Sequence, residues 1–375
     1  MRNIGMVDLQ GQYQRIKPEI DDAIQSVLNS TEFIQGPPVK QFEKAFSTFH
    51  DGAQVISCAN GTDALQIAMM ALGFKPGDEV ILPVFTYVAT AEVIALLGLK
   101  PVFVDVDEKT FAINIDQVEN KITSKTVAIV PVHLFGQCAP MEPLLALTKK
   151  HNLFLIEDFA QAIGSIYTST DGVSRKAGTL GTIGCTSFFP SKNLGCYGDG
   201  GAILTQDTTL AATIRMIANH GQRVKYYHDV IGLNSRLDTL QAAILSVKLN
   251  YLHEYEQKRN EVASFYDQNL ARISFLEIPY RASYSTHVFH QYTIQLKGID
   301  REAFKKFLQS KSIPSMIYYP LPLHFQKAFK IKGIEAGSFP VSEALSLSVL
   351  SLPIHTEMSQ EQLSYICETI RMYPG

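Results

Sequence analysis

Short apolar runs alternate with helical patterns from about residue 55 to residue 205. QVISCAN precedes the helix-like TDALQIAMMALG, and DEVILP precedes ATAEVIALLG. PVFVDVD and TVAIVPVHLFG follow, then the helical MEPLLALTKKH, then LFLIEDFA, CTSFFP and GAILT. The strand-like runs carry no polar alternation. Such runs suit strands covered on both faces, as in mostly parallel sheets. Right-handed crossovers then set helices on both sides. The pattern predicts an α/β fold with a mostly parallel central sheet sandwiched by helices.

The flanks read differently. The first 50 residues suggest a helix, the loop TEFIQGPPVK and a second helix, able to wrap onto either domain. Beyond about residue 240, TLQAAILSVKLNYLHEYEQKRNEVASFYDQNL reads as long helix with few breakers. HQYTIQLKG, DREAFKKFLQSK and IPSMIYYPLP then read as strand, helix, strand. We therefore expect a large domain over residues 1–250, including the N-terminal helical segment, and a smaller α+β domain over residues 251–375.

Composition narrows the class. Apolar residues make up 46% of the 375 and charged residues 18%, which fits a filled core and excludes a disordered chain. A formal net charge of −3, with both signs scattered, leaves no footprint for nucleic acid. The longest apolar runs are too short to span a bilayer, and the start, MRNIGMVDLQGQYQRIKPEI, lacks a signal-peptide core. A cytoplasmic protein is expected. Cys58, Cys138, Cys185, Cys196 and Cys367 are odd in number and without CxxC spacing, so free, mostly buried thiols are expected. The ten histidines show no HExxH pattern. His287 and His290, on a strand-like stretch, would face opposite sides, and no metal site is expected.

Ligands of open α/β sheets bind beyond the carboxyl ends of strands. Polar residues just after the apolar runs therefore carry the chemistry, and four places stand out. In ANGTDAL, Gly61 and Thr62 lie where strand gives way to helix. They form either a phosphate seat or an ordinary N-cap built on Thr62 or Asn60. In FTYVATAE, Tyr87 is either a ring to stack on a flat ligand or a half-buried core aromatic. In LFLIEDFAQAIG, Asp158 ends an apolar strand, where an unpaired carboxylate is costly. It is either matched to a cation or a helix N-cap, and Gln161 joins it if the chain turns into a helix. In TSFFPSKNLGCYGDGGAIL, Lys192 sits between an aromatic run and Gly195, Gly198, Gly200 and Gly201. The lysine precedes the glycines, so this is no GxxxxGK[ST] loop, and GxGxxG is absent too. That absence argues against a nicotinamide-dependent oxidoreductase. Pyridoxal 5′-phosphate would use all four places together: a lysine for its aldehyde, an acid for its ring nitrogen, a phosphate seat and an aromatic face.

Assembled in this order, the motifs resemble the nucleotide-sugar aminotransferases of the DegT/StrS group, within the fold-type I pyridoxal-phosphate enzymes. The resemblance covers nearly the whole chain. It is carried by FIQGPPVKQFEKAF, CANGTDAL, FTYVATAE, VHLFGQCAPM, IEDFAQAIG, SFFPSKNLGCYGDGGA and NSRLDTLQAAIL. It implies that Lys192 bonds to the cofactor aldehyde and that Asp158 pairs with the ring nitrogen. It places Gln161 near the ring hydroxyl, Gly61, Thr62 and Ser187 on the phosphate, and Tyr87 over the ring. Asn234 is expected to reach the phosphate from the partner subunit of a homodimer with active sites at its interface.

Within the group, the likeness is to enzymes that aminate C3 of UDP-2-acetamido-2-deoxy-3-oxo-glucuronate, with L-glutamate as the usual donor and polysaccharide synthesis as the common setting. Arg236 would suit a substrate carboxylate, a planar fork for two hydrogen bonds, or else pair with Asp238. Tyr318 and Tyr319 would line the sugar pocket. Tyr318 is a departure, because the subgroup carries histidine there. A second is the longer YTSTDGVSRKAGTLGT segment, expected as a hairpin near the site. The alternatives are a dTDP-3-oxo-6-deoxyhexose 3-aminotransferase and a non-catalytic sensor of cofactor or sugar nucleotide.

Overall fold

The computed structural model describes residues 4–330 and 333–374. Seven strands make the central sheet: β1 (Gln54–Cys58), β2 (Glu79–Pro83), β3 (Lys100–Val104), β4 (Thr126–Ile129), β5 (Phe154–Asp158) and, after the β6–β7 hairpin (Ile166–Thr168, Ser174–Lys176), β8 (Ile183–Ser187) and β9 (Gly201–Thr205). Their order is β1-β9-β8-β5-β4-β2-β3. All neighbours pair in parallel except β9, which runs against β1 and β8.

Successive strand residues point to opposite faces, and here both faces are apolar. Val55, Ile81, Ile129, Leu155 and Leu204 face one core. Their neighbours Ile56, Leu82, Val130, Ile156 and Ile203 face the other. This explains the unbroken apolar runs. The N-terminal helices α1 (Leu9–Arg15), α2 (Lys17–Ser30) and α3 (Pro37–Phe49) come first. The crossovers use α4 (Gly61–Ala71), α5 (Ala89–Leu96), α6 (Ile115–Lys121) and α7 (Met141–His151), and α8 (Thr208–Ala218) follows β9, the sheet's last strand in sequence. Residues of α3, α6 and α7 join the first core, and residues of α4, α5 and α8 the second. The sheet's β1 edge is closed by side chains. Glu43 accepts from the Ser57 N–H at 2.9 Å, and its partner Arg215 donates to the Val55 carbonyl at 3.0 Å. Occupying an edge in this way denies it to another strand.

After a short β10–β11 hairpin (Gln222–Val224, Tyr227–His228), α9 (Thr239–Leu249) packs against α2 and α3. The stretch expected as one long helix is two. α10 (Leu252–Leu270) starts after a break at Asn250 and Tyr251, residue types of low helix propensity. A third core then forms around α10, β12 (Leu276–Glu277), β13 (Tyr292–Leu296), α11 (Arg301–Ser310), β14 (Val349–Leu352) and α13 (Gln360–Arg371). IPSMIYYPLP is not a strand. It makes a single bridge, Met316 to Ser351, and its prolines cannot donate to a ladder. β14, which follows α12 (Pro340–Ser348), takes the place beside β13. His287 and His290 precede β13 rather than lying on it, and both are buried. All five cysteines are free and buried. Among the described residues no helix is long and apolar enough to cross a membrane.

Candidate active site

The carboxyl ends of β1, β2, β5 and β8 deliver the polar residues. β5 ends on Asp158, which is buried. The chain then makes a turn and not a helix, so Asp158 is not a helix N-cap. Its Oδ1 accepts from the Ala160 N–H at 3.2 Å, and its Oδ2 from the Thr90 hydroxyl at 2.9 Å. Burial pushes its pKa up, and these hydrogen bonds and the charge of Lys192 oppose the rise. The turn also aims Gln161 inward. Its Oε1 accepts from the Phe135 N–H at 2.8 Å, and its Nε2 donates to the Tyr319 hydroxyl at 3.1 Å. Phe135 holds a left-handed backbone, φ 60°, which turns its N–H to that carbonyl.

Gly61 and Thr62 form the first turn of α4, capped by Asn60, whose side chain accepts from the Asp63 N–H at 2.8 Å. Because Asn60 is the cap, the Thr62 hydroxyl stays unpartnered among the described residues. Ser187 ends β8 directly opposite. A Cβ at Gly61 would lie 2.6 Å from the Ser187 Cβ, so only glycine permits this approach. The result is a cradle of helix N–H groups and two hydroxyls, which suits an anion.

Lys192 lies in the loop between β8 and β9, where its N–H donates to the Phe189 carbonyl at 2.8 Å. Burial lowers its pKa to about 8, while the Asp158 carboxylate pulls the other way. Amine and acid therefore share one polar space. Tyr87 is 58% exposed, not a core aromatic. Its ring centroid lies 6.2 Å from that of Tyr319. Tyr319 thus reaches the Asp158–Gln161 group directly, and burial raises its pKa. Tyr318 stands beside it, rings 5.9 Å apart, packed against the apolar cluster that includes Phe85 and Phe111.

Asn234 and Arg236 precede α9. The alternative pairing of Arg236 with Asp238 does not form. Arg236 donates to the side-chain oxygens of Asn219 at 3.1 Å and Asn234 at 2.5 Å, and among the described residues it has no carboxylate partner. Both residues line a cavity of about 410 Å³ with Ile34, Gly198, Asp199 and Asp238. The extra segment does form a hairpin, β6–β7, whose Lys176 reaches back to Asp51 and Phe49.

Three features escaped the sequence reading. Thr90 lay inside FTYVATAE, yet nothing local marks a threonine for an acid 68 residues away. Phe135 acts through its backbone. His133 and Glu157, both fully buried, pair at 2.9 Å behind Asp158. Glu157 also accepts from the N–H groups of Gly178, Leu180 and Gly181 at 2.6–2.9 Å. That pair braces β5, and the carboxylate next to Asp158 was its visible signal.

Residues 14–371 match the DegT/DnrJ/EryC1/StrS aminotransferase family. The chain belongs to this family. It is a pyridoxal-phosphate-dependent sugar aminotransferase. The DegT-family chain is similar to a "pleiotropic regulatory protein" of Geobacillus stearothermophilus, with 46% identity over 98% of each chain. It is similar to UDP-2-acetamido-2-deoxy-3-oxo-D-glucuronate aminotransferase of Pseudomonas aeruginosa, with 44% identity over 98% of this chain and 99% of the relative. Among solved structures, Streptomyces venezuelae DesV in complex with a ketimine intermediate superposes with a TM-score of 0.94. It is 36% identical and is matched over 99% of this chain and 98% of its own. The residues at and just beyond the strand ends fit the family's cofactor: an anion cradle, a buried acid and a partly exposed lysine whose amine burial brings toward neutrality.

Proposed function

We propose that this aminotransferase moves an amino group from L-glutamate to C3 of UDP-2-acetamido-2-deoxy-3-oxo-glucuronate. The setting is the cytoplasm, and the product serves a surface polysaccharide such as lipopolysaccharide. The observation that carries the sugar assignment is Arg236, a guanidinium held by two asparagine side chains and, among the described residues, ion-paired with no carboxylate. A substrate uronate would complete it. The Pseudomonas relative, whose name specifies that substrate class, supports the same reading.

In this reading Thr62, Ser187 and the Gly61 N–H hold the cofactor phosphate, Tyr87 covers the ring face, and Gln161 lies near the ring hydroxyl. Asp158 holds a proton on the ring nitrogen. The cofactor, when bound, would supply an electron sink for the charge that develops at the donor α-carbon. Lys192 Nζ carries the proton to and from that carbon. With its pKa lowered to about 8 by burial, a far larger share of the amine is neutral near physiological pH than at the ordinary lysine value. The lowered value thus makes a base available at physiological pH. Tyr318 and Tyr319 bound the sugar. A homodimer brings Asn234 and Arg236 of one subunit to the cofactor phosphate and substrate of the other. Residues 1–250 form the cofactor domain, and residues 251–375 the smaller domain that supplies both tyrosines.

The test is incubation with L-glutamate and a panel of UDP- and dTDP-linked 3-keto-sugars, with products weighed by mass spectrometry. The uronic acid should be aminated fastest, and Arg236→Ala should slow it more than a neutral sugar. Equal losses on charged and neutral sugars would remove the uronate assignment.

A further inference from the structure

Lys248, in the last turn of α9, is 1% exposed and among the described residues has no carboxylate partner. An unpaired buried cation is costly, so its few contacts are informative. Its Nζ donates to the Gly195 carbonyl at 2.5 Å and lies 5.0 Å from the centre of the Tyr197 ring. About two turns earlier in the same helix α9, Gln241 grips the same segment. Its Oε1 accepts from the Tyr197 N–H at 2.8 Å, and its Nε2 donates to the Tyr197 carbonyl at 3.4 Å. The Tyr197 ring also meets Tyr13 of α1 edge-on at 6.1 Å.

The segment so held is the base of the Lys192 loop. The Cys196 N–H donates to the Phe188 carbonyl, and the Phe188 N–H to the Gly200 carbonyl, both at 2.8 Å. The loop is folded tightly on itself: a Cβ at Gly195 would lie 2.3 Å from the Pro190 carbonyl oxygen. Gly195 is three residues from Lys192. A displacement at Gly195 is therefore passed to Lys192 through a closed, stiff loop.

We propose that Lys248 is a positioning residue for Lys192: its ammonium, bound to the Gly195 carbonyl and backed by Gln241, fixes where the Lys192 amine stands. This rests on the reading of Lys192 as the cofactor-bearing lysine. Small displacements at a reacting centre carry large rate penalties. A lysine that merely ended α9 favourably would affect stability and leave Lys192 chemistry alone.

The test uses the holoenzyme and the variants Lys248→Met and Lys248→Arg. Four quantities are read: the pH midpoint of the bound cofactor's visible absorbance, kcat and KM for the amino donor, and the melting temperature. Lys248→Met is expected to move the midpoint by about half a pH unit or more and to lower kcat by about tenfold or more. KM should stay within about threefold, and Lys248→Arg should recover most of kcat. A Lys248→Met enzyme with wild-type midpoint and kcat, whatever its melting temperature, overturns the proposal. If that variant gives no folded holoenzyme, Gln241→Met is read by the same criteria. Peptide mapping of borohydride-reduced wild type separates the two readings. A label on another lysine defeats the assignment of Lys192. A label on Lys192 with an unmoved midpoint and kcat defeats only the role of Lys248.

Discussion

Replacing Thr90 by valine keeps the shape of the side chain and removes one hydrogen bond. Thr90 is 1% exposed, and its hydroxyl donates to Asp158 Oδ2 at 2.9 Å. A hydrogen bond to a charged group contributes about 1.5–3 kcal/mol. Its loss raises the Asp158 pKa further, in the direction burial already drives it. The carboxylate is then less able to hold a proton on the ring nitrogen. If that loss is felt in the transition state, kcat/KM falls by about ten- to 150-fold. The assay is the donor half-reaction, followed by absorbance with L-glutamate, alongside a melting curve. Thr90→Ser, which keeps the hydroxyl, should recover most of the rate. A valine variant within about twofold of wild type, with normal melting, would refute the reasoning.

The other predictions concern the cradle and the acid. Gly61→Ala puts a methyl 2.6 Å from the Ser187 Cβ, so cofactor affinity should weaken by about tenfold or more in an absorbance titration. Unchanged affinity would mean that Ser187 moves aside at little cost. Asp158→Asn should abolish transamination yet stabilise the cofactor-free protein at neutral pH. Burial raises the native pKa of Asp158 above 3.8, so its contribution to stability is fully present below that value and lost as pH rises through the native one. The gain in melting temperature should shrink toward pH 4, and identical curves at every pH would contradict it.

The apolar strands were legible because each has to be covered on two faces, and the polar residues at their ends stood out against them. Asp158, Lys192 and the Gly61–Thr62 turn were visible for that reason. What stayed hidden depends on distance along the chain. Thr90 meets Asp158, and Gln161 meets Tyr319 across 158 residues, only once the sheet order and the smaller third core are set. Lys248 looks like any surface lysine of an amphipathic helix until α9 is packed on the Lys192 loop. IPSMIYYPLP has strand composition, but its prolines deny it a ladder. The helix break at Asn250 turns on weak propensities that local pattern does not resolve.

The most direct test of the account is to reduce the holoenzyme with borohydride, digest it and map the cofactor-bearing peptide by mass spectrometry. The account predicts one modified site, Lys192. Modification of any other lysine, or no stable adduct in fully loaded enzyme, would contradict it.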